Sequence, residues 1–163
     1  MKLKESSNYT VNLYNPMDLE PSMTVKSNHI CLNSPTITLG NNSHLGFSSA
    51  LIIEINLNTI FSSGKTIIIE EEGIDKFDRV SYNELYYDVY FYMKEHIKNI
   101  AVLVYSSSGD PQNIYVGNNV SYYVPTDLPE TVEVTIDGKK LYLHRSTYEI
   151  IPITLLREYI KDE

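Results

Sequence analysis

Between Thr36 and His144 the apolar residues come in short runs, rich in β-branched and aromatic side chains and cut apart by Gly, Asn, Ser and Pro. The runs at 51–55, 66–69 and 132–136 are the clearest. Apolar runs of this length between turn residues predict strands. Thr36-Ile37-Thr38-Leu39 predicts a short strand closed by Gly40-Asn41-Asn42. Leu51 to Ile60 predicts a second strand, with Ile53, Ile55 and Leu57 on one face. Ser62-Ser63-Gly64-Lys65 then turns the chain, and Thr66 to Glu72 returns it as a hairpin partner. Ile100 to Tyr105 is continuously apolar, which predicts a strand buried on both faces. Ile114-Tyr115-Val116 and Val120 to Val124 flank Gly117-Asn118-Asn119 and read as another hairpin.

The sharpest local signal is Asp137-Gly138. Both central residues of a type I′ turn need positive φ, which Asp and Gly tolerate. That turn sets Val134 opposite Leu141 and Val132 opposite Leu143 on an apolar face. Thr135 then faces Lys140, and Glu133 faces Tyr142, on the wet side.

The period changes once in the middle of the chain. Ser81-Tyr82-Asn83-Glu84 has the form of a capping box. Beyond it Leu85, Tyr86, Val89 and Met93 recur at helical steps, so the spacing predicts a helix over about 81–98. The competing reading is a strand from Tyr86 to Met93, because Tyr, Val and Phe favour sheets. Near the C-terminus Pro152 suits a first helical turn, followed by a stripe of Leu155, Leu156, Tyr159 and Ile160.

Residues 1–35 look different. Pro16, Pro21 and Pro35 interrupt them, and only short apolar pieces lie between. Tyr9, Val11 and Leu13 alternate with Thr10, Asn12 and Tyr14. This stretch reads as an extended N-terminal arm with one or two edge strands, and residues 36–163 as a single β-rich domain. The fold class expected is mainly β, an antiparallel sandwich or barrel of about seven to nine strands, with one central helix and a short C-terminal helix. An α+β arrangement is the alternative.

Composition narrows the function. Of 163 residues, 42% are hydrophobic and 21% charged, as in ordinary globular domains. No apolar run reaches the length of a membrane span. The first residues lack the apolar core of a secretory signal, so cytoplasmic synthesis is expected. The net charge of −8 disfavours nucleic acid as a partner. A single cysteine, Cys31, excludes a disulfide framework within the chain and any multi-cysteine zinc site.

No catalytic constellation emerges. Gly64-Lys65-Thr66 resembles the end of a phosphate loop, but Thr59 stands where its first glycine belongs and Ile67-Ile68-Ile69 predicts a strand, not a helix. Glu70, Glu71, Glu72, Asp75 and Asp78 follow no calcium-loop spacing and read as a solvated edge. His29, His44, His96 and His144 are too scattered to suggest a metal pair. Cys31 between Ile30 and Leu32 reads as a small core residue. No cofactor, metal or catalytic residue is therefore assigned.

Tyrosine is the outlier, with 14 Tyr against no Trp. Its ring and hydroxyl suit half-wet contacts. Tyr82, Tyr86, Tyr87, Tyr90 and Tyr92 would cover more than one face of the central helix, more than core packing needs. The candidate protein-interface residues are thus Tyr9, Val11, Leu13 and Tyr14 on the arm and Tyr87, Tyr90 and Tyr92 on the helix. The expected function is a non-enzymatic assembly subunit that binds neighbouring chains in a homo- or hetero-oligomer. In general style, without any shared motif, such a chain resembles small virion proteins of tailed bacteriophages: head–tail ring, adaptor or decoration subunits. Incorporation in a virion would follow from that resemblance. A carbohydrate- or surface-binding β module and a small enzyme with a dispersed site are the other readings.

Overall fold

The structure is a computed structural model that describes residues 3, 7–33, 36–40, 44–46, 48–63, 65–66, 82–128 and 130–160. In chain order the first strands are β1 (Tyr9–Tyr14), β2 (Met23–Ser27), β3 (Ile30–Asn33), β4 (Thr36–Leu39), β5 (His44–Gly46) and β6 (Ser49–Glu54). Two short ones follow, β7 (Phe61–Ser62) and β8 (Lys65–Thr66). Helix α1 (Tyr82–Glu95) separates them from β9 (Ile100–Tyr105), β10 (Pro111–Gly117), β11 (Val120–Tyr123), β12 (Thr131–Ile136), β13 (Lys139–His144) and β14 (Thr147–Pro152). A short helix α2 (Ile153–Leu156) and a 3-10 turn at Arg157–Tyr159 complete the described chain.

Every described strand pairing is antiparallel. Three sheets result, in the orders β11-β12-β13-β6-β1-β2, β14-β9-β10-β7-β8 and β3-β4-β5. They stack as layers, and strand parity explains how. Successive side chains of a strand point to opposite faces. In β6, Ala50 and Ile52 pack with Val11, Leu13, Ile30, Leu32 and Ile37, between the six- and three-stranded sheets. Leu51 and Ile53 point the other way and pack with Val102, Val104, Tyr115 and Leu141, between the two larger sheets. In β9 the alternation continues: Ala101, Leu103 and Tyr105 meet Leu85, Val89 and Met93 of α1. Each such fully buried Val, Leu, Ile or Met side chain contributes about 1.5–3 kcal/mol relative to exposure. The fold is mainly β, with a central and a C-terminal helix, as the sequence pattern implies; it holds fourteen described strands where about seven to nine were expected.

The hairpin at Asp137-Gly138 forms in the expected register, with Val134 opposite Leu141, Val132 opposite Leu143 and Thr135 opposite Lys140. Both turn residues have positive φ, 48° and 86°. Its second face is not uniformly wet: Tyr142 is buried, edge-on to Tyr9 at 6.3 Å. The helix reading of the central segment is also observed, whereas Ser81, its expected cap, and the acidic run 70–75 with Asp78 lie outside the described residues.

Three expectations are corrected. First, residues 9–14 do not form an arm. β1 lies inside the six-stranded sheet, hydrogen-bonded to β6 on one side and β2 on the other. Its alternating apolar set fills the core, which outweighs the prolines around it. Second, the strand from Leu51 ends at Glu54 and pairs with β1 and β13 rather than with the segment after Lys65. The left-handed turn at Asn56 (φ 72°) redirects the chain there, and the hairpin that does form joins Phe61 to Thr66 and Ser62 to Lys65. Third, β10 and β11 are not hairpin partners: β10 pairs with β9 and β7, β11 with β12. Gly117-Asn118-Asn119 is a crossing between sheets. A Cβ on Gly117 would lie 2.7 Å from Ile136 Cγ2 and 2.9 Å from Asp137 Oδ2, so any side chain there would force those groups to shift. Asn118 and Asn119 donate their amides to the Asp137 carboxylate at 3.1 and 2.8 Å.

Polar groups also join the layers. Asn113 Nδ2 in β10 donates to the Tyr14 hydroxyl in β1 at 2.9 Å, with both residues buried. At the end of α1, the Lys98 amide donates back to the Met93 carbonyl at 2.8 Å. That bond closes a Schellman-type cap with Ile97 in the left-handed position, φ 54°. Asn118 Nδ2 donates to the Ile97 carbonyl at 2.9 Å and fixes this cap against the crossing.

Candidate interaction surface

The four strand residues proposed for an interface are internal. Tyr9, Val11, Leu13 and Tyr14 are all buried within the chain's own core. This is a correction of the sequence reading, and its cause is the central position of β1: both neighbours of the strand are intramolecular.

The helix residues divide by angle around α1. Tyr92 is buried and stacks on His96 with ring centres 4.0 Å apart. Tyr90 is half-buried, with Lys94 Nζ at 5.7 Å and the Arg157 guanidinium at 5.8 Å from its ring centre. Tyr87 alone of the three is exposed, at 55%. It lies nearly parallel to Phe91, 45% exposed, at 6.5 Å and 10°. Phe91 was not singled out from the sequence, although it sits four residues from Tyr87, one helical turn on.

A second exposed group lies on β11. Tyr122 and Tyr123 are 67% and 59% exposed, and Val124 follows them. β11 ends the six-stranded sheet, and among the described residues no strand pairs with its outer edge. Tyr122 pairs across to Val134 and Tyr123 to Glu133, so the two rings project from opposite faces of the sheet. The signal that could have found this edge is compositional. From Gly117 to Thr126 the sequence has no charged residue. The apparent hairpin with Ile114–Val116 hid it. Ile97, 77% exposed, sits beside the start of β11 through its bond to Asn118.

The other chemistry-bearing residues are placed as follows. His144 is buried, with Nδ1 at 2.7 Å from Thr131 Oγ1. Burial holds its imidazole below the usual value, with the Arg145 charge adding to the effect. Cys31 is half-buried on the opposite face of β3 from Ile30 and Leu32, so it is not the core residue expected. Glu149 in β14 accepts a hydrogen bond from the Tyr159 hydroxyl, and Tyr86 meets the Tyr159 ring edge-on at 5.5 Å. Burial, then the Glu149 hydrogen bond and charge, push the Tyr159 phenol up to about 12. These contacts pin the C-terminal turn over α1. Among the described residues no group of three or more His, Cys, Asp or Glu side chains could hold a metal ion. Among them, too, no helix is long and apolar enough to cross a membrane.

No curated protein and no solved structure matches the chain. Residues 4–156 match the family model described as domain of unknown function DUF5052, and the chain belongs to that family.

Proposed function

We propose that the chain is a non-enzymatic binding module that holds a neighbouring protein by strand addition at β11. The supporting observation is the edge itself: an uncharged end strand whose exposed residues are Ser121, Tyr122 and Tyr123, followed by exposed Val124. Unpaired N–H and C=O groups on such an edge are a template for another chain, and proteins usually blunt them with Lys, Pro or a bulge. The sheet's other end, β2, carries Lys26, and β14 carries Glu149 and ends on Pro152. β11 has no such device before Pro125. The occupant is an extended, uncharged or basic segment of a partner protein, since the chain carries −8 and would repel an acidic one. Backbone bonds would supply affinity, and the two rings on opposite faces would select the side chains that flank them.

The test is a photo-crosslinking side chain at position 122, made in the organism that produces the protein. A discrete protein adduct, lost when Val124→Pro removes a backbone donor that points outward in the β11 register, is the expected result. Adducts only with glycan or lipid, or protein adducts indifferent to the proline, would remove the proposal. A substituted position 87 serves as the comparison on α1.

A further inference from the structure

We propose that the cleft at one end of the interface between the two larger sheets binds a small oxyanion, a carboxylate or a phosphate. This inference is independent of the β11 surface. The cleft encloses about 110 Å³ and lies where β1, β6, β9, β10 and β14 approach one another. Its lining includes Asn15, Ser49, Ser107, Gln112, Arg145 and Thr147. A dry cavity of about 150 Å³ accepts a six-carbon ring, so this one suits roughly four to six non-hydrogen atoms.

Charge selects the class. Among the described residues Arg145 is the one charged residue in the lining, in a chain of net charge −8. Glu130, which holds the Arg145 Nε, is not among the lining residues. The remaining polar groups are hydroxyls and amides, which can donate to oxygen at any pH near neutrality. Among the described lining residues a cation would meet no carboxylate. An oxyanion would compete with Glu130 for the Arg145 guanidinium and meet neutral donors beside it, the combination that recognises carboxylate and phosphate.

Backbone geometry points to the same place. Three irregularities converge on it. Met17 and Arg145 both have left-handed φ, 67° and 54°, without being glycine. The β9–β10 register shifts between Pro111 and Asn113, so Gln112 sits in a bulge. Bulges re-aim side chains, and strained non-glycine residues persist only where surrounding contacts over-determine them. Those contacts exist here. The Arg145 amide donates to the Glu130 carbonyl at 2.9 Å. Gln112, itself buried, donates Nε2 to the Asp18 carbonyl at 2.9 Å and fixes the loop that carries Asn15 and Met17. The cleft is therefore held open by built contacts rather than left as a packing gap.

The experiment is an amide NMR titration of the full chain at neutral pH, with acetate in one arm and inorganic phosphate in the other. Saturable shifts confined to Ser49, Ser107, Gln112 and Arg145, with millimolar affinity in at least one arm, are expected; the tighter arm identifies the oxyanion. Ser107→Glu places a carboxylate at the exposed rim without touching the Arg145–Glu130 pair. It should weaken binding at least about tenfold, or 1.4 kcal/mol. Arg145→Gln should do the same where its melting curve shows the fold intact. No saturation in either arm up to about 50 mM, or saturation unchanged in Ser107→Glu, would overturn the proposal.

Discussion

Ile97 occupies a backbone position that most proteins give to glycine. A β-branched residue at φ 54° is a steric outlier, and the left-handed conformation costs an L-residue about 1–2 kcal/mol. The side chain recovers little of this by burial, because among the described residues it is the most exposed large apolar one. Ile97→Gly should therefore raise stability. The gain is reduced by the extra freedom of glycine in the unfolded chain, about 0.4–1 kcal/mol, leaving about 0.5–1 kcal/mol. Thermal denaturation would show this as a midpoint raised by about 2–4 °C or somewhat less. A lowered midpoint would mean that the Ile97 side chain makes packing contacts that outweigh the strain.

At the scale of elements, the Asp137 carboxylate explains both a success and a failure of the sequence reading. The β12–β13 hairpin was legible because its information is local: two turn residues and the alternation on either side. The β10–β11 crossing was not, because Gly117-Asn118-Asn119 has turn chemistry and what decides its path lies about twenty residues downstream. Asp137 captures the Asn118 and Asn119 amides, and Lys98 approaches its other oxygen at 3.6 Å. The Asn119 amide bond, chiefly, holds the carboxyl below its ordinary range. With the folded value lower than the unfolded one, the stabilisation is complete above the unfolded value and drains away as pH falls through the folded one. Asp137→Asn keeps a residue tolerant of positive φ but removes the charge. Urea denaturation should find the variant less stable than the parent at pH 7, and the gap should close below about pH 4. An equal gap at both pH values would assign the loss to geometry instead of charge. The candidate surface divides in the same way. Tyr87 was legible from helical spacing, whereas β11 needed the sheet order, which no local pattern encodes.

For the whole molecule the decisive element is β6. Its pattern Ser-Ala-Leu-Ile-Ile-Glu announces a strand, but not that both faces are internal or that β1 from the N-terminal region is its neighbour. Proline-rich surroundings made that region look detachable. A fragment beginning at residue 36 would lose β1, β2 and β3, strip one flank of β6 and uncover Ala50 and Ile52. The fragment should lack native near-ultraviolet circular dichroism and a sharp denaturation transition; a fragment that kept both would restore the arm boundary. Because the two faces of β6 serve two different cores, neither core can open while the other stays intact. Amide hydrogens along β6 should then exchange with solvent only when the entire molecule unravels, and the layers, though three sheets deep, should melt as one cooperative unit.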